Sequence, residues 1–250
     1  MAAVTGDQFW ELQRSNSDLA QTAAPSPGEF AEAFRTLHAS GADAICCITI
    51  SSELSATYQA ALAGAALTET IPVEVVDSRS ATMGEGLVVL EASAAARRGA
   101  DLASVVAAAR SAIGRSKVLG TLDTLENLRR GGRIGSAQAL LGSLLSIKPV
   151  IEVRDGVVEG ESKQRTRSRS LTYLVDRVIS GPKPDRVAVV HAAASTDVAL
   201  LVDRLAPIAT ADQVIVTAIG PVVGAHTGLG TIGICWLEPV SAADPPRPAR

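Results

Sequence analysis

Leu125-Glu-Asn-Leu-Arg-Arg-Gly-Gly-Arg-Ile-Gly-Ser-Ala-Gln-Ala-Leu-Leu-Gly-Ser-Leu-Leu-Ser-Ile-Lys-Pro-Val150 is the stretch at which this chain changes character. It sets Arg129, Arg130 and Arg133 around Gly131 and Gly132, directly ahead of an apolar segment. Ile134, Ala137, Leu140, Leu141, Leu144 and Leu145 recur at helical spacing, which predicts a helix with one apolar face. Lys148-Pro149 ends that helix, and Val150–Arg154 reads as a strand. Asp155-Gly156 is a two-residue hairpin signal, so Val157–Glu161 returns antiparallel.

Upstream of this stretch, strands and helices alternate. Ser26-Pro-Gly-Glu29 is a capping box with proline at the first helical position, predicting a helix to about His38. Ala42–Ile50 is a short apolar run suited to a buried strand, and a helix follows from about Ala56 to Ala66. Val73–Asp77 is the next strand, helices follow Thr82 and Asp101, and Lys117–Gly120 reads as a strand. Alternation of this kind argues for a parallel sheet covered by helices. Downstream, the hairpin leads to a helix at Ser168–Ile179, a strand at Val187–His191 and a helix at Thr196–Ala206. Strands at Gln213–Ala218 and Thr231–Trp236 close a mixed or antiparallel α+β unit. The expected domains are 1–120 and 121–238, followed by a proline-rich disordered tail at 239–250.

Composition narrows the function classes. The chain has 250 residues, 47% of them apolar, and a net charge of -3. No basic stripe interleaved with aromatics points to nucleic acid. No uncharged run reaches the roughly 20 residues of a membrane span, and no basic n-region opens a secretory signal. Cys46, Cys47 and Cys235 fit no metal or disulfide spacing and read as small hydrophobes of a reducing, cytoplasmic compartment.

Four corners carry polar chemistry. Thr22 lies a few residues ahead of a helix start, where a hydroxyl can meet an anion or be an ordinary loop residue. Ser55 and Thr57 follow a buried strand, at the end where open α/β sheets bind ligands, or they cap the next helix. Arg133, between Gly132 and Ile134, can meet a carboxylate or phosphate; equally, the three arginines can be a solvated helix end. His226 lies in Gly220-Pro-Val-Val-Gly-Ala-His-Thr-Gly-Leu-Gly230, as a ligand or as a structural histidine. Asp77-Ser78 is a weaker candidate, and His38 and His191 have no evident partner. Nucleophile-elbow, phosphate-loop and zinc-protease motifs are missing, so neither catalytic machinery nor a metal centre is expected.

Five motifs in order carry a resemblance. They are Thr22-Ala-Ala-Pro-Ser26, Ser51-Ser-Glu-Leu-Ser-Ala-Thr-Tyr-Gln-Ala60, Asp77-Ser78, Gly131-Gly-Arg-Ile-Gly135 with Ile147-Lys-Pro149, and His226-Thr-Gly-Leu-Gly230. Together they resemble the DegV family of bacterial fatty-acid-binding proteins over residues 22–237. The resemblance implies a two-domain fold with a long-chain fatty acid held between the domains and no cofactor. It implies that the carboxylate is bound by Thr22, Ser55, Arg133 and His226. It also implies presentation of the fatty acid to a separate kinase that makes an acyl-phosphate, with Arg165 at the kinase-docking position and at most transient membrane contact. Ala23, Ala56 and Leu229 depart from the family's serine, glycine and proline. The family's opening strand, with an early Asp-Ser, has no counterpart here, so the first sheet is expected to lack a strand. Two other readings stand beside the carrier: an enzyme acting on a small anion through His226, and a truncated relative that binds no lipid.

Overall fold

The computed structural model describes residues 5–16, 18–141 and 147–240, and these form two compact units. One is Ala23–Ser116; the other joins Lys117–Glu238 to the residues up to Thr22. The division therefore falls just ahead of the expected boundary. The opening residues, assigned by sequence to domain 1–120, pack with the later unit. They form helix α1 (Gly6–Ser15), started by a capping box between Thr5 and Gln8.

In the unit Ala23–Ser116, α2 (Pro27–Ala39) begins at the predicted capping box. Ser26 Oγ accepts the Glu29 N–H at 3.3 Å, and the Glu29 carboxylate accepts the Ser26 N–H at 2.7 Å. Strands β1 (Ile45–Thr49) and β2 (Val73–Asp77) pair in parallel, with α3 (Thr57–Ala66) crossing between them. A Cβ at Gly64 of α3 would stand 2.8 Å from the Pro27 carbonyl, so glycine permits the close approach of α2 and α3. Helices α4 (Thr82–Arg97) and α5 (Leu102–Ile113) meet on small side chains, burying Ala92, Ala95, Ala109 and Ala112.

The parallel sheet of this unit has two strands. The Ile45 N–H donates to Pro72 O and Thr49 O accepts the Ser78 N–H, so the alternate residues Cys46 and Ile48 turn their backbone to the opposite edge. A cavity of about 620 Å³ runs there, lined by Cys46 and Ile48, by Val89 and Ala92 of α4, and by Val105 of α5.

Among the described residues, the unit containing Lys117–Glu238 has six strands. They are β3 (Ser116–Thr121), β4 (Lys148–Arg154), β5 (Val157–Gln164), β6 (Arg186–His191), β7 (Val214–Ala218) and β8 (Ile232–Leu237). Their order is β5-β4-β3-β8-β6-β7, with antiparallel β3/β4, β4/β5 and β6/β8 pairs and a parallel β6/β7 pair. The strand at Lys117–Gly120, expected as the last of the parallel half, thus belongs to this mixed sheet. At the β4–β5 turn, Asp155 and Gly156 both have positive φ, 50° and 88°, the geometry that the Asp-Gly pair predicts. Leu171 and Leu174 of α7 (Arg167–Ile179) and Leu201 of α8 (Ser195–Arg204) pack over Val187, Val189, Ile232 and Ile234 as the core.

The segment after Arg133 corrects the expected α-helix: Gly135–Leu140 is a 3-10 helix. Gly135 has φ 51°, outside α-helical geometry, and a side chain there would overlap the Val158 carbonyl of β5. The expected helix positions Leu144 and Leu145 lie outside the described residues, as do the tail residues from 241 onward.

One buried acid in the first unit gives a test. Burial pushes the Glu85 carboxyl of α4 up to about 7, and the charge of Asp77 adds to it. A raised pKa contributes stability that is complete below the ordinary carboxylate range and is lost as pH rises through 7. The ionised form costs folding on the order of 3 kcal/mol. Glu85→Gln is expected to raise the urea midpoint at about pH 8 and leave it nearly unchanged at about pH 4; urea melts at both pH values check this.

Candidate functional site

Two short helices and one loop assemble the polar centre of the later unit. Helix α6 (Glu126–Arg130) ends at Gly131, and the chain turns through Gly132, at φ 69°, to Arg133. Helix α9 (Pro221–Thr227) carries His226 in its last turn and stops at Gly228, at φ 82°. Pro221 at the first position and Gly228 just past the end are the start and stop signals of a short helix.

His226 joins distant parts of the sequence. Its Nε2 lies 2.9 Å from Thr22 Oγ1, and the two share a hydrogen bond across 204 positions of sequence. Its Nδ1 faces Gly131, where any side chain would overlap the imidazole. Arg133 is fixed by its own backbone: its N–H donates to Leu128 O at 2.9 Å and its Nη1 donates to Gly131 O at 2.8 Å. Burial lowers the His226 pKa below the usual imidazole value, and the Arg133 charge lowers it further. The resulting site holds a neutral imidazole, a hydroxyl and a guanidinium together.

Three of the four candidate ligands, Thr22, Arg133 and His226, therefore share one unit. Ser55 belongs to the other. There, Ser55 Oγ lies 2.8 Å from Thr57 Oγ1 and accepts the Thr57 N–H at 3.3 Å, a local turn ahead of α3. Asp77 ties this loop to the next, accepting from Ser52 Oγ at 2.6 Å and from the Arg79 N–H at 2.8 Å. Arg79 and Thr82 adopt positive φ, 48° and 50°, so the loop after β2 carries backbone strain.

The neighbouring arginines divide. Arg129 forms an exposed pair with Glu126 on α6, and Arg130 is exposed. Arg165 is exposed at the end of β5, just ahead of Thr166, which caps α7. Sequence reasoning places Gly131 in a motif without its role of making room for the imidazole, and it passes over Trp10, which packs beneath α9 against Gly224. The Pro221–Gly228 spacing is the available signal for α9.

Among the described residues no three His, Cys, Asp or Glu side chains group as metal ligands. None of their helices is long and apolar enough to cross a membrane. Burial pushes the Cys47 thiol up to about 11 and raises that of Cys46.

Known proteins resemble this chain in both sequence and fold. Residues 2–239 match the DegV family, described as "Uncharacterised protein, DegV family". A DegV domain-containing protein of Mycobacterium tuberculosis is 40% identical over 223 residues, spanning 86% of this chain and 78% of the relative. The structure described as fatty acid binding of a DegV family protein from Thermus thermophilus is 30% identical, with a TM-score of 0.86 over 94% of this chain and 85% of that one. DegV of Bacillus subtilis, described as a fatty acid binding protein, is 28% identical, with a TM-score of 0.79 over 93% and 84%.

The depressed histidine gives a second test. Folding here disfavours the imidazolium, so the His226 contribution is intact above the ordinary imidazole pKa and is lost as pH falls below it. In an NMR titration, the His226 ring is expected to titrate below about 6.5, and Arg133→Ala should move that midpoint upward.

Proposed function

The chain belongs to the DegV family, and on that premise we propose that it is a carrier of long-chain fatty acids. Thr22, Arg133 and His226 take the carboxylate; Ser55, the fourth candidate, belongs to the other unit. The observation that carries this reading is the convergence of Thr22, Arg133 and His226 in one unit. A carboxylate removed from water needs a cation and several hydrogen-bond donors. Arg133 provides the charge, and the Thr22–His226 pair, with one proton held in its own hydrogen bond, has one more to donate. Proteins similar in fold to this chain are described as fatty acid binding proteins, which supports the ligand class.

In this reading the protein catalyses nothing itself and uses no cofactor. It presents the bound carboxylate to a separate kinase, which forms the acyl-phosphate. Arg165, exposed beside the start of α7, is the docking contact for that kinase. Cytoplasmic residence is part of the proposal, and three free cysteines are consistent with a reducing compartment.

A second reading has its own observation. Thr22 Oγ1 and His226 Nε2, 2.9 Å apart, have the spacing of a nucleophile and its general base. An esterase built on them would release acid from a soluble ester and lose turnover in Thr22→Ala.

Mass spectrometry of gently purified protein separates the two. The carrier reading expects about one fatty acid per chain. Retention should fall roughly tenfold to a hundredfold in Arg133→Ala, as loss of a charged hydrogen bond implies. Arg165→Glu should retain the lipid but slow acyl-phosphate formation by an added kinase. An empty wild-type protein that turns over p-nitrophenyl butyrate would favour the esterase.

A further inference from the structure

Helix α9 has seven residues, too few to hold its own geometry. Its position depends on what packs against it. On one side stands α6, where Gly131 admits the His226 ring and the Asn127 amide lies near Gly228. On the other stands α1, whose single buried side chain is Trp10, 4% exposed.

The Trp10 ring lies against Gly224, with Cζ2 2.8 Å and Cζ3 3.3 Å from where a Cβ would be. Gly224 and His226 are two positions apart on the helix and so face away from each other. Trp10 therefore backs α9 from the side opposite the imidazole. A ring seated there limits how far α9 can move away from Gly131 and Thr22. The segment that carries Trp10 also carries Thr22, so the first residues of the chain supply both the wedge and the hydrogen-bond partner.

We propose that Trp10 is a positioning residue for the ligand site: its ring, seated on Gly224, sets where His226 stands. This rests on the fatty-acid reading above and deepens it. Phe9, edge-on to Trp10 with ring centroids 4.9 Å apart, packs on the indole from within α1.

The test uses Trp10→Ala and Trp10→Phe, with Leu12→Ala as a control on an exposed position of the same helix. Fatty-acid retention in Trp10→Ala should fall about tenfold, the lower end of what losing a supporting group behind a site costs. The His226 NMR titration midpoint should rise toward the ordinary imidazole value, because a loosened α9 lets water reach the ring. Trp10→Phe should restore most of both, and Leu12→Ala should change neither. If Trp10→Ala does not fold, Trp10→Leu, which keeps apolar bulk without the flat ring, must show the upward shift of the midpoint with unfolding that stays cooperative. An unmoved midpoint in every folded Trp10 variant overturns the proposal. Unchanged retention in Arg133→Ala would instead overturn the fatty-acid reading, so the two failures are distinguishable.

Discussion

The hydrogen bond between Thr22 and His226 is the contact on which the proposed site depends. It closes a loop of 204 positions, bringing the chain's opening residues into the unit built from Lys117–Glu238. Closing so long a loop costs chain entropy, and one hydrogen bond between an exposed threonine and a half-buried histidine does not offset that cost alone. Trp10 buried against Gly224 adds the apolar area that makes the closure stable. The polar contact of the proposed site thus rests on an apolar one with a structural role.

Glycine does the steric work around this contact. Gly131 leaves room for the imidazole, Gly224 for the indole, and Gly228 ends α9 in a conformation that most residues avoid. Each position removes a side chain so that another group can come close. The electrostatics arise from the same packing. Burial and then the nearby Arg133 guanidinium lower the His226 pKa, favouring the neutral imidazole beside the charged arginine.

Local signals are legible where one stretch of sequence decides one element. The Ser26-Glu29 box starts α2, and Asp155-Gly156 makes the β4–β5 turn. The motifs single out Thr22, Arg133 and His226 one by one, and the structure adds that all three fall within one unit. What the sequence hides is long-range or conformational. Nothing local to Lys117–Gly120 says that its strand pairs with β4, and nothing in Trp10 says that its partner is Gly224. Apolar periodicity after Arg133 mimics an α-helix, whereas the positive φ of Gly135, pressed against β5, turns the segment into a 3-10 helix. The glycines in and around α9 mask a helix of only seven residues.

The most direct measurement is the carboxyl signal of ¹³C-carboxyl-labelled palmitate bound to the protein, followed by NMR from acid to neutral pH. A carboxylate paired with Arg133 should stay ionised through the range in which free fatty acid titrates, and its signal should shift in Arg133→Ala and in His226→Gln. A bound signal that titrates like free palmitate and is indifferent to both substitutions would contradict the assignment of the site.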